Sequence, residues 1–204
     1  MIYHLISDDV FFLCGASKIL KTVVNEGSIT SNNININGWK KTKKEISKKP
    51  FQKIIIYMHC FRKRRRLLRL AAAHDINVIV FTRFKDDCDN KHNSFIKSSL
   101  CSKEDFLFSL LNGRELIEKR QSLTSQKIIK MLSSGISISE LSKKLGLSQK
   151  MIYATKNNTI RNFGLTTTKL HGLLLCRDIL EMKSINLRCK NRMNHKNTLI
   201  QRAN

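Results

Sequence analysis

With 204 residues the chain has room for one or two domains, and 41% hydrophobic content supplies ordinary cores and excludes disorder throughout. Lys and Arg number 38 against 15 Asp and Glu, a formal charge of +23 that calls for a polyanionic partner, nucleic acid being the economical choice. No apolar run approaches the length of a membrane span, and the opening MIYHLISDDV carries acids where a signal peptide carries bases, so a cytoplasmic, nucleoid-associated protein without a membrane partner is expected.

In chain order, residues 2–7 (IYHLIS) have the composition of a short buried strand, closed by Asp8 and Asp9, and 11–24 reads as a helix. An acidic pair at the carboxyl end of a strand offers two hard oxygen ligands to a divalent cation; the other reading is a solvated acidic loop. Residues 25–50, rich in Asn and with six lysines between 40 and 49, read as the least structured part of this half. Ile34, Ile36 and Trp39 allow a short strand or packed turn there.

Lys53–Met58 (KIIIYM) is a fully buried strand by its unbroken apolar run, and FRKRRRLLRLAAAHD after it is a basic helix whose Leu67, Leu68, Leu70 and Ala71 to Ala73 can cover a sheet. The cations Arg62 to Arg66 admit two readings, an anionic contact or a solvated face. Residues 77–81 (NVIVF) form another buried strand, followed by Thr82 and an acidic loop. A short last strand is expected at 94–97 and a helix at 103–111, with Phe106, Leu107, Leu110 and Leu111 inward.

Strands alternating with helices predict a parallel sheet covered on both faces. This order resembles a response-regulator receiver domain over residues 1–112, with Asp8 and Asp9 at its acidic pair, Thr82 at its switch hydroxyl and Lys97 at its phosphate-binding lysine. The departure is at the end of the strand IIIYM, where that family has the phosphate-accepting Asp and this chain has Tyr57, Met58 and His59. Neither a phenol nor a thioether makes an acyl phosphate, so the resemblance implies a pseudo-receiver kept for its fold and dimer surface.

Residues 112–121 (NGRELIEKRQ) are polar and open on Asn-Gly, which places a linker at 113–122. Thr124 is the expected cap of the next helix, whose Ile128, Ile129 and Leu132 face inward and which Gly135 ends. Ser137 and Glu140 then form an S-x-x-E capping box before Ile138, Leu141 and Leu145. Gly146 sits where a helix end needs the left-handed conformation, and Ser148 caps the helix after it. Helices joined by so short a turn cross steeply, as in a helix-turn-helix.

At about 100° per residue, Ile152, Thr155, Thr159 and Phe163 share one side of that second helix, and Lys150, Tyr153, Ala154, Asn157 and Arg161 the other. The outward set has the donors and acceptors that reading base edges requires, and no carboxylate. The stretch resembles the DNA-binding domain of LuxR-type regulators through Gly135, Ser137, Glu140, Leu141, Leu145, Gly146, Ser148, Lys150, Ile152, Asn158, Arg161 and Gly164, over roughly residues 121 to 182. A last helix in KLHGLLLCRDIL is apolar almost all round at Leu173 to Cys176. It either pairs two subunits, as the resemblance implies, or completes the bundle. A basic tail occupies 183–204.

The sequence thus predicts an α/β receiver-like domain at 1–112 and an all-α four-helix domain with a helix-turn-helix at 123–182. The expected function is sequence-specific transcription regulation without phosphorylation, with double-stranded DNA and a second subunit as partners, either a homodimer or a heterodimer with another response regulator. Tyr153, Ala154 and Asn157 are assigned to base edges and Lys150, Lys156 and Arg161 to phosphates. The alternative is an accessory or nucleoid-type protein that gains specificity from a partner. An enzymatic reading, a recombinase with Ser7 as nucleophile, fails because no arginine precedes position 62 to gather on a scissile phosphate. No catalytic residue and no cofactor are assigned. The cysteines at 14, 60, 88, 101, 176 and 189 include no C-x-x-C pair, so no metal site is assigned either.

Overall fold

The computed structural model describes the backbone of residues 2–48, 53–83, 96–111, 121–165 and 169–203, and the side chains of these except 48, 111 and 188–203. The linker expected at 113–122 lies almost wholly outside the described residues, as does the acidic loop after Arg83.

Five strands, β1 (Tyr3–Ser7), β2 (Ile29–Asn33), β3 (Lys53–Tyr57), β4 (Asn77–Thr82) and β5 (Ile96–Ser98), form one sheet in the order β2-β1-β3-β4-β5. Every pairing is parallel, with Ser7 opposite both Asn33 and Tyr57, and Tyr57 opposite Phe81. The continuous apolar runs follow from burial on both faces. Alternate residues split cleanly: Leu5, Ile55, Tyr57, Ile79 and Phe81 pack with Leu13 and Leu20 of α1 (Val10–Leu20). Phe106 and Leu110 of α4 (Lys103–Leu111) join them on that face. Ile6, Ile54, Ile56, Val78 and Val80 point the other way, toward α2 (Ile34–Lys48) and α3 (Phe61–Ala73).

The stretch expected to be least structured is an ordered strand and helix, which corrects that expectation. Its strand, ITSNN, is held by polar groups where its neighbours use aliphatics. Asn32 is 1% exposed, donates to Glu45 Oε2 at 2.6 Å and accepts from Thr42 Oγ1 at 3.3 Å, while Asn33 Oδ1 accepts from Asn35 N at 2.9 Å and starts α2. α2 breaks at Gly38, whose φ of 71° a residue with a side chain rarely adopts.

Four further helices follow: α5 (Leu123–Ser133), α6 (Ile138–Leu145), α7 (Gln149–Asn162) and α8 (Leu170–Ala203). α8 runs as a helix well past residue 182, where the helical domain was expected to give way to a tail. It packs on both α3 and α5. Leu173, Leu174, Leu175 and Cys176 are therefore buried within the chain, and one apolar cluster runs from Ile56 and Leu68 to Ile129, Ile160 and Ile179. Burial pushes the Cys176 thiol up to about 12, with Asp178 adding to the effect. Of the two readings of this helix, bundle completion holds, and the same face also covers the sheet domain.

The basic cluster on α3 turns inward to a degree its composition does not show. Arg64 Nε donates to Asp178 Oδ2 at 3.0 Å with both residues buried, and Arg177 Nη2 reaches the other carboxylate oxygen at 2.6 Å. Arg65 Nε donates to Glu181 Oε2 at 2.8 Å, and the Arg66 guanidinium lies 4.4 Å from the centre of the Trp39 ring. Lys63 Nζ donates to Asn35 Oδ1, so four cations of the cluster have partners in the chain, two of them on α8.

Candidate nucleic-acid interface

The helix-turn-helix is built on three residues with no exposed surface: Ile128 of α5, Leu141 of α6 and Ile152 of α7. Each helix starts on a hydroxyl. Ser137 Oγ accepts from Glu140 N at 3.1 Å and Ser148 Oγ from Met151 N at 3.2 Å, as the sequence predicts. The reciprocal half of the capping box is not made. Glu140 pairs instead with Lys144 one turn on, at 2.8 Å. The cap of α5 is Ser122, accepting from Ser125 N at 3.1 Å, and not the expected Thr124. Gly146 adopts φ 64°, ψ 27°, the left-handed conformation that turns the chain from α6 into α7.

On α7, Lys150, Tyr153, Ala154 and Arg161 are exposed, Tyr153 at 48%. Lys156 is half-buried, with its ammonium 5.1 Å from the centre of the Tyr153 ring. Asn157 departs from the angular expectation: it is half-buried, and its Oδ1 is enclosed without a hydrogen-bond partner. Ile152, Thr159 and Phe163 of the expected line are buried, but Ile160 is buried with them, so the buried face is rotated toward Ile160, and Thr155 is only half-buried. Asn157 lies beside Ile160 on that turn. Asn158, exposed on the far edge of the same arc, completes the row of polar side chains; its place two residues from Lys156 and three from Arg161 was the signal for it. Gln149 at the helix start is exposed as well. No carboxylate occurs anywhere in α7.

Of the residues matched to a receiver's site, Asp8 and Asp9 at the carboxyl end of β1 engage the loop after β3, Thr82 Oγ1 at the end of β4 is buried without a hydrogen-bond partner, and Lys97 stands half-buried on β5. Asp8 Oδ1 accepts from His59 N at 2.9 Å and Oδ2 from Cys60 N at 3.0 Å, tying the first loop to the start of α3. Asp9 Oδ1 caps α1 through Phe12 N at 3.1 Å, and Oδ2 lies 3.3 Å from His59 Nε2. Burial alone raises the Asp9 pKa, yet the Phe12 amide and the His59 contact outweigh it and hold it below the ordinary value. Among the described residues no cluster of three or more His, Cys, Asp or Glu can hold a metal ion. Tyr57 closes β3 buried under Phe12, ring centres 4.5 Å apart, and Ser7 is fully buried with its Oγ accepting from Asp9 N at 3.0 Å.

No family model and no curated protein matches the chain. Among solved structures, the response regulator RcsB in a DNA complex aligns with 86% of this chain and 96% of its own, at 18% identity and a TM-score of 0.48. RcsB from Salmonella enterica serovar Typhimurium, bound to promoter P1flhDC with the phosphomimetic BeF3-, aligns with 87% and 98% at 15% identity and 0.48. The response regulator ChrA of a heme-sensing two-component system aligns at 14% identity and 0.35, over 88% of this chain and 97% of its own. At this level of similarity the fold assignment rests on the strand order, register and helix packing of the chain itself.

Proposed function

We propose that this chain is a transcription regulator that binds duplex DNA through α7, in the manner of the LuxR-type domains it resembles and of the DNA-bound RcsB structures it aligns with. The observation that carries the reading is the free arc of α7. A capped three-helix scaffold holds a helix whose outward side chains are cations, amides and a phenol without one carboxylate, and among the described residues no element of the sheet packs extensively across it. The net charge of +23 supplies phosphate attraction over the whole molecule.

In this reading Lys150 and Arg161 grip phosphates, while Tyr153, Ala154 and Asn157 face base edges. Lys156, drawn over Tyr153, supports that ring and reaches phosphate from beside it. Bidentate recognition of adenine needs both atoms of an amide facing outward, so Asn157 rotates its carboxamide out of its enclosed position on binding. Two copies place their α7 helices in successive major grooves about 10 base pairs apart. Leu173 to Cys176 do not supply the pairing surface, being covered by the chain's own helices. With Tyr57 at the end of β3 and the acidic pair committed to backbone amides, control does not pass through an aspartyl phosphate.

The test is binding to a preferred duplex and to scrambled duplexes across a salt series. Lys150→Ala should weaken every duplex alike and lower the slope of log affinity on log salt by about 1, whereas Asn157→Ala should cost about 1–3 kcal/mol on the preferred duplex only. Equal losses on all sequences in both variants reject the division of roles.

A further inference from the structure

The two helices that cover one face of the sheet carry cations on their outer sides. At about 100° per residue, Arg62, Arg66 and Arg69 fall on one stripe of α3, opposite the buried Leu67, Leu68 and Ala71, and all three are exposed. On α2, past the break at Gly38, Lys40, Lys41 and Lys44 are exposed while Thr42 and Ile46 are buried. The helices are tied together: Lys63 Nζ donates to Asn35 Oδ1, and the Arg66 guanidinium lies over the Trp39 ring at 4.4 Å. Stacking on a ring engages the face of a guanidinium and leaves its in-plane donors available.

Acids do not offset these stripes. α3 has no carboxylate, and Glu45 of α2 accepts from Asn32 of the sheet. Asp178 and Glu181 of α8, which packs on α3, are held by Arg64 and Arg65. Among the described residues none of the six outward cations enters an ion pair. Like charges one turn apart, as Arg62 with Arg66 and Lys40 with Lys44, repel and destabilise their helix unless an anion lies across them. The α3 stripe also begins close to where α7 ends. Leu165, just past α7, borders a common space with His59 and Arg64 and shares the apolar cluster of Leu67 and Leu68. Arg161 is exposed in the last turn of α7 and Arg62 in the first turn of α3.

We propose that α2 and α3 form a second DNA-contacting surface, which grips phosphates of the duplex beside the segment held by α7. The proposal rests on the reading of α7 as the DNA-binding helix and extends the interface to the sheet domain. With 13 residues α3 is about 20 Å long, which matches about six base pairs of duplex. These cations contact phosphate alone, so they add affinity and fix the orientation of the protein without adding base preference. An anionic membrane fits less well. Of the exposed large apolar side chains among the described residues, only Ile36 and Phe61 lie on these helices, each in a first turn, so none stands among the cations to insert.

The experiment is binding of the full chain to a mixed-sequence duplex of about 40 base pairs across a salt series. Arg62→Gln/Arg66→Gln/Arg69→Gln and Lys40→Gln/Lys41→Gln/Lys44→Gln should each lower the slope of log affinity on log salt by about 2 to 3, at about 0.9 per phosphate contact. The control Lys18→Gln/Lys21→Gln/Lys103→Gln removes the same charge from α1, its C-terminal cap and α4, on the opposite face of the sheet, and should leave the slope within about 0.5 of wild type. The lysine variant on α2 is clear of the contact between Arg66 and Trp39 and serves if the arginine variant does not fold. Combined with Lys150→Ala/Arg161→Ala, the losses of slope should add, because both surfaces hold one duplex. Slopes in both α2 and α3 variants no different from the control overturn the proposal and leave the reading of α7 standing. A loss in those variants with none in Lys150→Ala/Arg161→Ala is instead the failure of the α7 reading, and overturns the shared duplex with it. Weakened binding of the same variants to vesicles of phosphatidylserine and phosphatidylcholine, with duplex slopes unchanged, overturns the proposal in favour of a lipid surface.

Discussion

Asn157 shows how far a residue's position on a helical wheel determines its surroundings. The 100° rule places it outward with Lys150 and Arg161, yet its oxygen is enclosed, because the buried face of α7 turns toward Ile160 as the helix approaches the large shared core. That drift comes from contacts distant in sequence, and local periodicity contains no trace of it. Asn157 therefore loses an unpaired buried oxygen on truncation as well as the DNA contact proposed for it. Asn157→Ala should leave folding stability within about 1 kcal/mol of wild type while lowering DNA discrimination, an outcome read from urea midpoints beside binding curves. The hydroxyl caps are the opposite case, since a cap acts within three residues and is legible locally. Ser148→Ala should cost about 1 kcal/mol in the same urea titration.

Among the elements, the strands β1, β3 and β4 were readable because burial on both faces demands unbroken apolar runs. The strand β2 was not, since at the sheet's edge its inward positions are Asn32 and Asn33, whose amides are satisfied by Thr42, Glu45 and the start of α2. A sequence pattern registers these as loop residues; only the partners reveal the strand. The helix-turn-helix was legible throughout its hydroxyl caps, its turn glycine and its three core positions, and the shift of the α5 cap from Thr124 to Ser122 is a two-residue slip. Its core is small, so each member weighs heavily. Leu141→Ala should destabilise the helical domain by about 2–5 kcal/mol, seen as a lowered thermal midpoint, and should abolish DNA binding through loss of the α7 platform.

At the scale of the whole molecule, the sheet with its flanking helices and the all-helical C-terminal part share one apolar cluster and a charged clasp. Neither was legible. The run of Arg62 to Arg66 has many partners compatible with its composition, and pairing with Asp178 and Glu181 spans more than a hundred residues of sequence. Removing one member of a buried pair strands the other, so Asp178→Ala should cost about 3–5 kcal/mol, whereas Arg64→Met with Asp178→Leu should come close to wild type. A urea titration of the three variants checks this. The outer pair gives a pH dependence. Burial works to raise the Glu181 pKa, but the hydrogen bond and charge of Arg65 prevail and hold it below the ordinary value. Its contribution is therefore fully present above the unfolded carboxylate pKa and is lost as pH falls through the lower folded value. The urea midpoint of wild type should drop over this acidic window more steeply than that of Glu181→Gln; parallel curves contradict the assignment.

The central claim is that α7 reads sequence in duplex DNA. The measurement that tests it most directly is selection from a randomised duplex pool by the purified chain, at two salt concentrations, with sequencing of the retained DNA. An enriched motif with half-sites about 10 base pairs apart is expected, persisting at the higher salt and lost with Tyr153→Ala and Asn157→Ala together. Retention without any motif, falling steeply with salt and unchanged by those substitutions, contradicts it and leaves a protein that holds DNA by charge alone.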